Sequence, residues 1–119
     1  MEKLIFTIEE SSFIIEAEGK KLRVSYDEFQ GSHEDAMKFC KEHNGGDESL
    51  ENLLFLAKHR DAINEELKKL GKETIRGWYW SNEIARWDVD LAFVVFTGYG
   101  DVDNDYRDCI YDARAVLAI

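Results

Sequence analysis

The stretch GWYWS, residues 77–81, sets three large rings side by side in a chain whose other aromatics are scattered. Read as a strand, it sends successive side chains to opposite faces. Trp78 and Trp80 then share one face and Tyr79 takes the other. The tryptophans are expected to fill a core, with Tyr79 across the sheet, because buried aromatics dominate the cores of small domains. Downstream, LAFVVFT (residues 91–97) reads as a second strand and Gly98-Tyr99-Gly100 as a turn. An acid-rich stretch, DVDNDYRDCIYD (residues 101–112), follows, and ARAVLAI (residues 113–119) closes the chain as a last strand.

Upstream of the rings the period changes to that of helices. Ser32 with Asp35 three residues on has the form of a capping box, and Ala36, Phe39 and Cys40 recur at helical spacing until Asn44-Gly45-Gly46. From Ser49, Leu50, Leu53, Leu54 and Ala57 form one apolar stripe, while Ile63, Leu67 and Leu70 form another about a quarter turn out of phase. The spacing predicts a break near residues 59–61 and a stop at Gly71. At the start, KLIFTIEE, SFIIEAEG and, after a turn at residues 19–21, KLRVSY read as two or three short antiparallel strands. The order of strands, helices and strands gives an α+β domain in which the first and last strands are expected to pair and bring the termini together.

Composition narrows the function classes. With 119 residues the chain suits one domain, and with no proline and eight glycines it offers no linker. A net charge of −10 repels phosphate backbones and anionic headgroups, so neither nucleic acid nor membrane insertion is expected. The opening MEKLIFTIEE carries acids too early for a signal peptide, which sets the expectation of a cytoplasmic or phage-particle location unless a leader was removed. Cys40 and Cys109 share no metal or redox spacing and are read as reduced thiols, Cys40 buried. No cofactor is expected.

Several residues of the second half resemble the C-terminal domain family of the Lcl-type bacterial adhesins. They are GWYWSNE at residues 77–83, AFVV at 92–95, Gly100 followed by Val102, Arg107, and ARAV at 113–116. With the helical stretch before them, the resemblance covers about two-thirds of the chain. It implies a C-type-lectin-like fold, two or three helices against a small twisted antiparallel sheet, shared with formylglycine-generating enzymes and the variable proteins of diversity-generating retroelements. Where the family carries arginine-leucine-proline-threonine before its second helix, this chain has NGGDESLENL instead.

The remaining constellations are weighed by chemistry. Trp87, among Arg86, Asp88 and Asp90, is a large ring in a polar loop, suited to anchoring a ligand or to folding back as a lid. Asp101, Asp103, Asp105 and Asp112 echo a calcium loop. Tyr106 stands where that loop needs glycine and the flanks look like strands, so Asp101, Asp103 and Asp105 are read as one solvated strand face. His33, His43 and His59 fall on surfaces that read as polar, and no nucleophile has a base beside it, so no enzyme is expected. Arg114, between apolar neighbours, is expected to pair with a carboxylate, Glu83 standing at an acid position of the family pattern.

The scaffold is then Trp78, Trp80, Phe93, Val95, Arg114 and Val116, and the ligand-facing surface residues 84–88 and 101–112. Its candidate binding residues are Ile84, Arg86, Trp87, Asp88, Tyr99, Asp101, Asp103, Asp105, Tyr106, Asp108, Ile110, Tyr111 and Asp112. The expected function is recognition of a protein or glycan, in its sharpest form by a retroelement-diversified or phage-borne binder. The alternative is a structural or assembly module that associates with itself or with a larger host.

Overall fold

A computed structural model describes residues 3–119. Strands β1 (Ile5–Ile8), β2 (Ser12–Ala17) and β3 (Lys20–Ser25) form an antiparallel meander, followed by the short β4 (Phe29–Gly31). Three helices follow, α1 (His33–Glu42), α2 (Leu50–Lys58) and α3 (Arg60–Lys69), then β5 (Trp78–Ile84), β6 (Leu91–Phe96), β7 (Asp101–Tyr106), β8 (Tyr111–Ala113) and β9 (Val116–Ala118). They make an α+β architecture with two sheets, ordered β1-β2-β3-β9 and β4-β8-β5-β6-β7. No described helix is long and apolar enough to cross a membrane.

Local chemistry explains the boundaries. The β2–β3 turn uses Glu18 and Gly19, both at positive φ, the primed hairpin turn whose twist matches its strands. The Ser32 side chain caps α1 by accepting from Asp35 N–H, and the Ser49 side chain caps α2 by accepting from Asn52 N–H. The break expected near residues 59–61 falls at His59, which ends α2 and begins α3.

Three expectations are corrected. The first and last strands do not pair: β1 bonds β2 and β9 bonds β3, on opposite edges of one sheet. In register, Ile5, Glu16 and Lys21 lie across that sheet, and Ile119 N–H donates to Lys21 O. Ile5 and Ile119 therefore lie at the same end of the sheet, three strand spacings or about 14 Å apart. The rings of GWYWS do not divide into a core face and a far face. Tyr79 and Trp80 are both buried, whereas Trp78 is half-buried. The centre of the second sheet is covered on both sides, which a period-two pattern by itself does not reveal. Tyr79 and Val95 join Phe13, Leu22, Leu53, Leu56, Ile63 and Leu67 in one core, while Trp80 and Val94 join Ala36, Cys40, Ala92, Ala113 and Ala115 in another. The alanines let α1 sit close to the indole, whose Nε1–H donates to Gly31 O at 2.9 Å. The third correction concerns His33, which is buried and forms part of the site described next.

The segment between α1 and α2, where the family resemblance lapses, is a structural hub. Glu48 is buried, and its carboxylate accepts from Gly46 N–H and Val116 N–H, both at 2.8 Å. Burial pushes its pKa up, and the backbone donors hold it partly in check. Glu83 reaches from β5 to accept Leu50 N–H at 2.7 Å, capping the start of α2. Arg114 is 2% exposed and its Nη2 lies 2.7 Å from Glu28 Oε1, so the expected ion pair forms with Glu28 rather than Glu83. Both cysteines are free thiols, Cys40 buried.

Candidate recognition surface at the loop end of the second sheet

The site begins with a bulge. Trp80 pairs with Val94 and Ile84 with Ala92, so residues 81–83 of β5 oppose Phe93 alone. Ser81 fills the gap: its Oγ donates to Phe93 O at 2.9 Å and accepts Glu83 N–H at 3.1 Å. Asn82, turned outward, donates from its backbone N–H to Glu48 O and from its side chain to Gly46 O. The bulge thereby fixes the direction in which the chain leaves the sheet.

Residues 85–90 then form a closed loop. Ala85 N–H donates to Leu91 O, Leu91 N–H to Asp88 O, and Asp90 N–H to Asp88 Oδ1. Trp87 is 67% exposed, and its ring stands edge-on to Phe93, with centroids 5.8 Å apart at 79°. The ring lies against Phe93 of the sheet, and most of its surface faces solvent.

Arg107 ties this loop to the next one. Its N–H donates to Asp90 O at 2.8 Å, its Nη1 to Val89 O at 3.4 Å, and its Nε to His33 Nδ1 at 3.3 Å. Because Nδ1 accepts that bond, His33 carries its proton on Nε2, which donates to Ser81 O at 2.8 Å. One imidazole thus locks α1 to both the bulge and the loop tie. Beside it lies a shallow depression of about 440 Å³ lined by Ser32, Glu34, Asp90, Tyr106, Arg107 and Asp108, with three carboxylates to one guanidinium.

Burial lowers the His33 pKa, with Arg107 adding to the effect against the bond to Ser81. The unfolded chain therefore takes up a proton below about pH 6.5 that the folded chain refuses, so stability falls as the pH drops through that value. His33→Gln keeps a donor for Ser81 and an acceptor for Arg107. It should flatten the stability slope between pH 6.5 and 5 in urea titrations; parallel slopes for the two proteins would refute the assignment.

The candidate residues do not form one patch. Ile84, Arg86, Trp87 and Asp88 lie at the bulge and first loop, and Tyr106, Asp108 and Ile110 at or in the second. Tyr99 sits in the β6–β7 turn at the opposite end of β6, against Phe96. Asp101, Asp103 and Asp105 share one face of β7, opposite Phe96, Val94 and Ala92. Asp105 also accepts the Tyr111 hydroxyl at 2.5 Å, which holds its carboxyl below the usual range. The Tyr111 ring packs edge-on to Trp80. Asp112 lies on the other face, level with Tyr79, and burial raises its pKa. Among the described residues no group of His, Cys, Asp and Glu converges as a metal site.

Sequence reasoning missed His33 and Ser81 as parts of this surface. No local signal marked them: alternation puts Ser81 on the Tyr79 face, away from the expected core, where a polar residue is ordinary. Comparison with protein-family models, curated proteins and solved structures finds no match to this chain.

Proposed function

We propose that the domain is a non-catalytic recognition module of C-type-lectin-like organisation, and that its contact surface is the loop end of the second sheet around Trp87. The observation that carries this reading is a large, exposed ring on a loop whose backbone is closed by its own hydrogen bonds and tied through Arg107 to a buried histidine. An aromatic held in place before the ligand arrives loses little entropy on binding, which is how interface anchors gain their energy. Exposed Val89 and Ile110 extend the apolar area, and the acidic depression supplies a polar counterpart.

The fitting ligand has an apolar face for the indole and a cationic or hydroxyl-rich group for the carboxylates, as in a basic protein segment or a glycan. The lectin-like organisation is supported by first and last strands in one sheet and by loops set between the strands of a second. In its retroelement-diversified form, the reading puts adenine-directed variation in codons for the exposed loop positions, and sequencing the locus across its source population tests that form.

Trp87→Ala should weaken binding to a ligand found on glycan and basic-peptide arrays by at least about 30-fold, in keeping with about 2 kcal/mol for an anchor residue. Its melting temperature should stay within a degree or so of the parent's, since exposed substitutions cost little. Tyr99→Ala, at the far end of β6, should bind as the parent does. Absence of any array ligand, or equal binding by Trp87→Ala, would overturn the reading.

A further inference from the structure

Four strands end the two sheets: β1 and β9 in the first, β4 and β7 in the second. An edge strand offers unpaired N–H and C=O groups to any passing chain, so how each edge is closed is a physical question.

Acidic residues cover most of one of them and part of a second. On β9, Ser25 N–H donates to Ala115 O, so residues 116 and 118 turn their backbone groups outward. Glu48 accepts Val116 N–H, Asp47 Oδ2 accepts Ala118 N–H, and Asp47 N–H donates to Val116 O. On β7, Arg107 N–H donates to Asp90 O, so residues 102, 104 and 106 face outward. Asp103 Oδ1 accepts Asn104 N–H and Asp105 Oδ1 accepts Tyr106 N–H, both at 2.8 Å, while Tyr106 O accepts Cys109 N–H. Two of the aspartates that echo a calcium loop in the sequence, Asp103 and Asp105, thus blunt part of a sheet edge. β4 is only three residues long and packs against α1.

β1 has no such covering among the described residues. Glu9 N–H donates to Ser12 O, so Glu9, Thr7 and Ile5 turn toward β2 and the backbone groups of Phe6 and Ile8 point away from the sheet. Ile5 and Ile8 beside them are 44% and 58% exposed.

We propose that β1 binds a second copy of this chain, strand against antiparallel strand across a two-fold axis, so that the two four-stranded sheets become one continuous sheet. Such an axis runs normal to the sheet, and the register must join outward-facing groups. Centred on Phe6, it sets Phe6 against the partner's Phe6, Leu4 against the partner's Ile8, and Ile5 against the partner's Thr7. At each end it sets Lys3 against the partner's Glu9. Each even-numbered pair exchanges two main-chain hydrogen bonds, and cation meets anion at both ends. Shifted to centre on Thr7, the strands would oppose Ile5 to Glu9 and Leu4 to Glu10, pairing apolar side chains with carboxylates. Of these two registers, the one centred on Phe6 is the self-complementary one. Glu9 already holds Arg23 at 2.8 Å, and a carboxylate has lone pairs for a second cation.

Two short strands bury less than the roughly 1,200 Å² of a stable interface, which makes this a weak dimer. The charge of −10 on each chain opposes it at long range, an effect largely screened at 0.15 M salt, where the Debye length is about 8 Å. The dimer would carry two Trp87 surfaces on one particle, a route to avidity that needs no new contact.

Sedimentation of the full chain at 0.15 M salt, from low to high micromolar concentration, should show the mass rising from 13.8 kDa toward twice that value. Ile8→Lys and Lys3→Glu should each weaken dimerisation by about tenfold or more, equivalent to 1.4 kcal/mol, with an unchanged melting temperature. Hydrogen exchange separates this interface from others: the amides of Phe6 and Ile8 should gain protection with concentration, while those of Ile5 and Thr7, already bonded within the sheet, should not change. A chain that stays monomeric overturns the proposal. So does a dimer that Ile8→Lys leaves intact, or one that leaves the Phe6 and Ile8 amides unprotected.

Discussion

Gly45→Ala should destabilise the domain by about 4 kcal/mol, out of the roughly 5–15 kcal/mol that holds a domain of this kind together. The reason is space rather than backbone conformation. A Cβ at residue 45 would lie 2.3 Å from Glu48 Oε2, 2.9 Å from Cys40 O and 3.0 Å from the Ala115 Cβ. Two of these neighbours are backbone or core atoms that cannot swing aside. The third, Glu48 Oε2, is the oxygen that accepts both Gly46 N–H and Val116 N–H. Moving it breaks two hydrogen bonds and leaves buried polar groups unsatisfied, at about 1–3 kcal/mol each, and uncovers the edge of β9. In thermal unfolding the expected fall is roughly 15 °C, taking about 4 °C per kcal/mol for a chain of this length. Gly19→Ala is the matched control. Gly19 has a φ of +75° and nothing within 4 Å of a new Cβ, so it should lose only about 1 kcal/mol, from conformation alone. Equal losses at the two positions would show that the hub is looser than its distances imply.

Arg114→Ala should cost about 3–5 kcal/mol, the loss seen when one partner of a buried ion pair is removed. Arg114 Nη2 serves Glu28 at 2.7 Å and Glu73 O at 3.0 Å, and the Tyr79 hydroxyl donates to the same Glu28 oxygen. Without the guanidinium, a largely buried carboxylate keeps only a phenol as partner, and the nearby Asp112 loses a cation that favours its ionised form. Burial drives the Tyr79 pKa up, so the phenol stays neutral and supplies a proton but no charge. The double variant Arg114→Met with Glu28→Gln removes both charges and should recover more than half of the loss, because well-packed neutral groups often replace a buried pair at little cost. Urea midpoints of the parent, single and double variants measure this. A double variant no more stable than Arg114→Ala would mean that the arginine acts through packing rather than charge.

Both substitutions strike where the strands of the first sheet meet the rest of the molecule, and neither touches Trp87. Stability and the proposed recognition surface rest on different residues, joined where Asn82 of the bulge donates to Glu48 O and Gly46 O. The first depends on the hub at residues 45–48 and on the Arg114 ion pair, the second on the bulge, Arg107 and the ring itself. His33 is the exception, since it belongs to the surface and its titration still bears on folding.

The sequence alone determined what depends on neighbours along the chain. Ser32 as a cap, the apolar stripe that starts after Ser49, the break at His59, the opening strands and the turn after β6 all follow from period, capping and turn chemistry within a few residues. The pairing of Arg114 with a carboxylate was legible too, because a cation between apolar neighbours has few other outcomes; which carboxylate was not. Tertiary structure decided whatever depends on what lies opposite. Period two sorted Tyr79 from Trp80 but could not say that both faces of their sheet are covered. Among the polar residues that proved to be buried, His33, Glu48 and Ser81 owe their place to partners 48, 68 and 12 positions away in the chain. Alternating aspartates look the same whether they hold an ion, face water or close a sheet edge; only the direction of the neighbouring N–H groups distinguishes these roles, and strand pairing sets that direction.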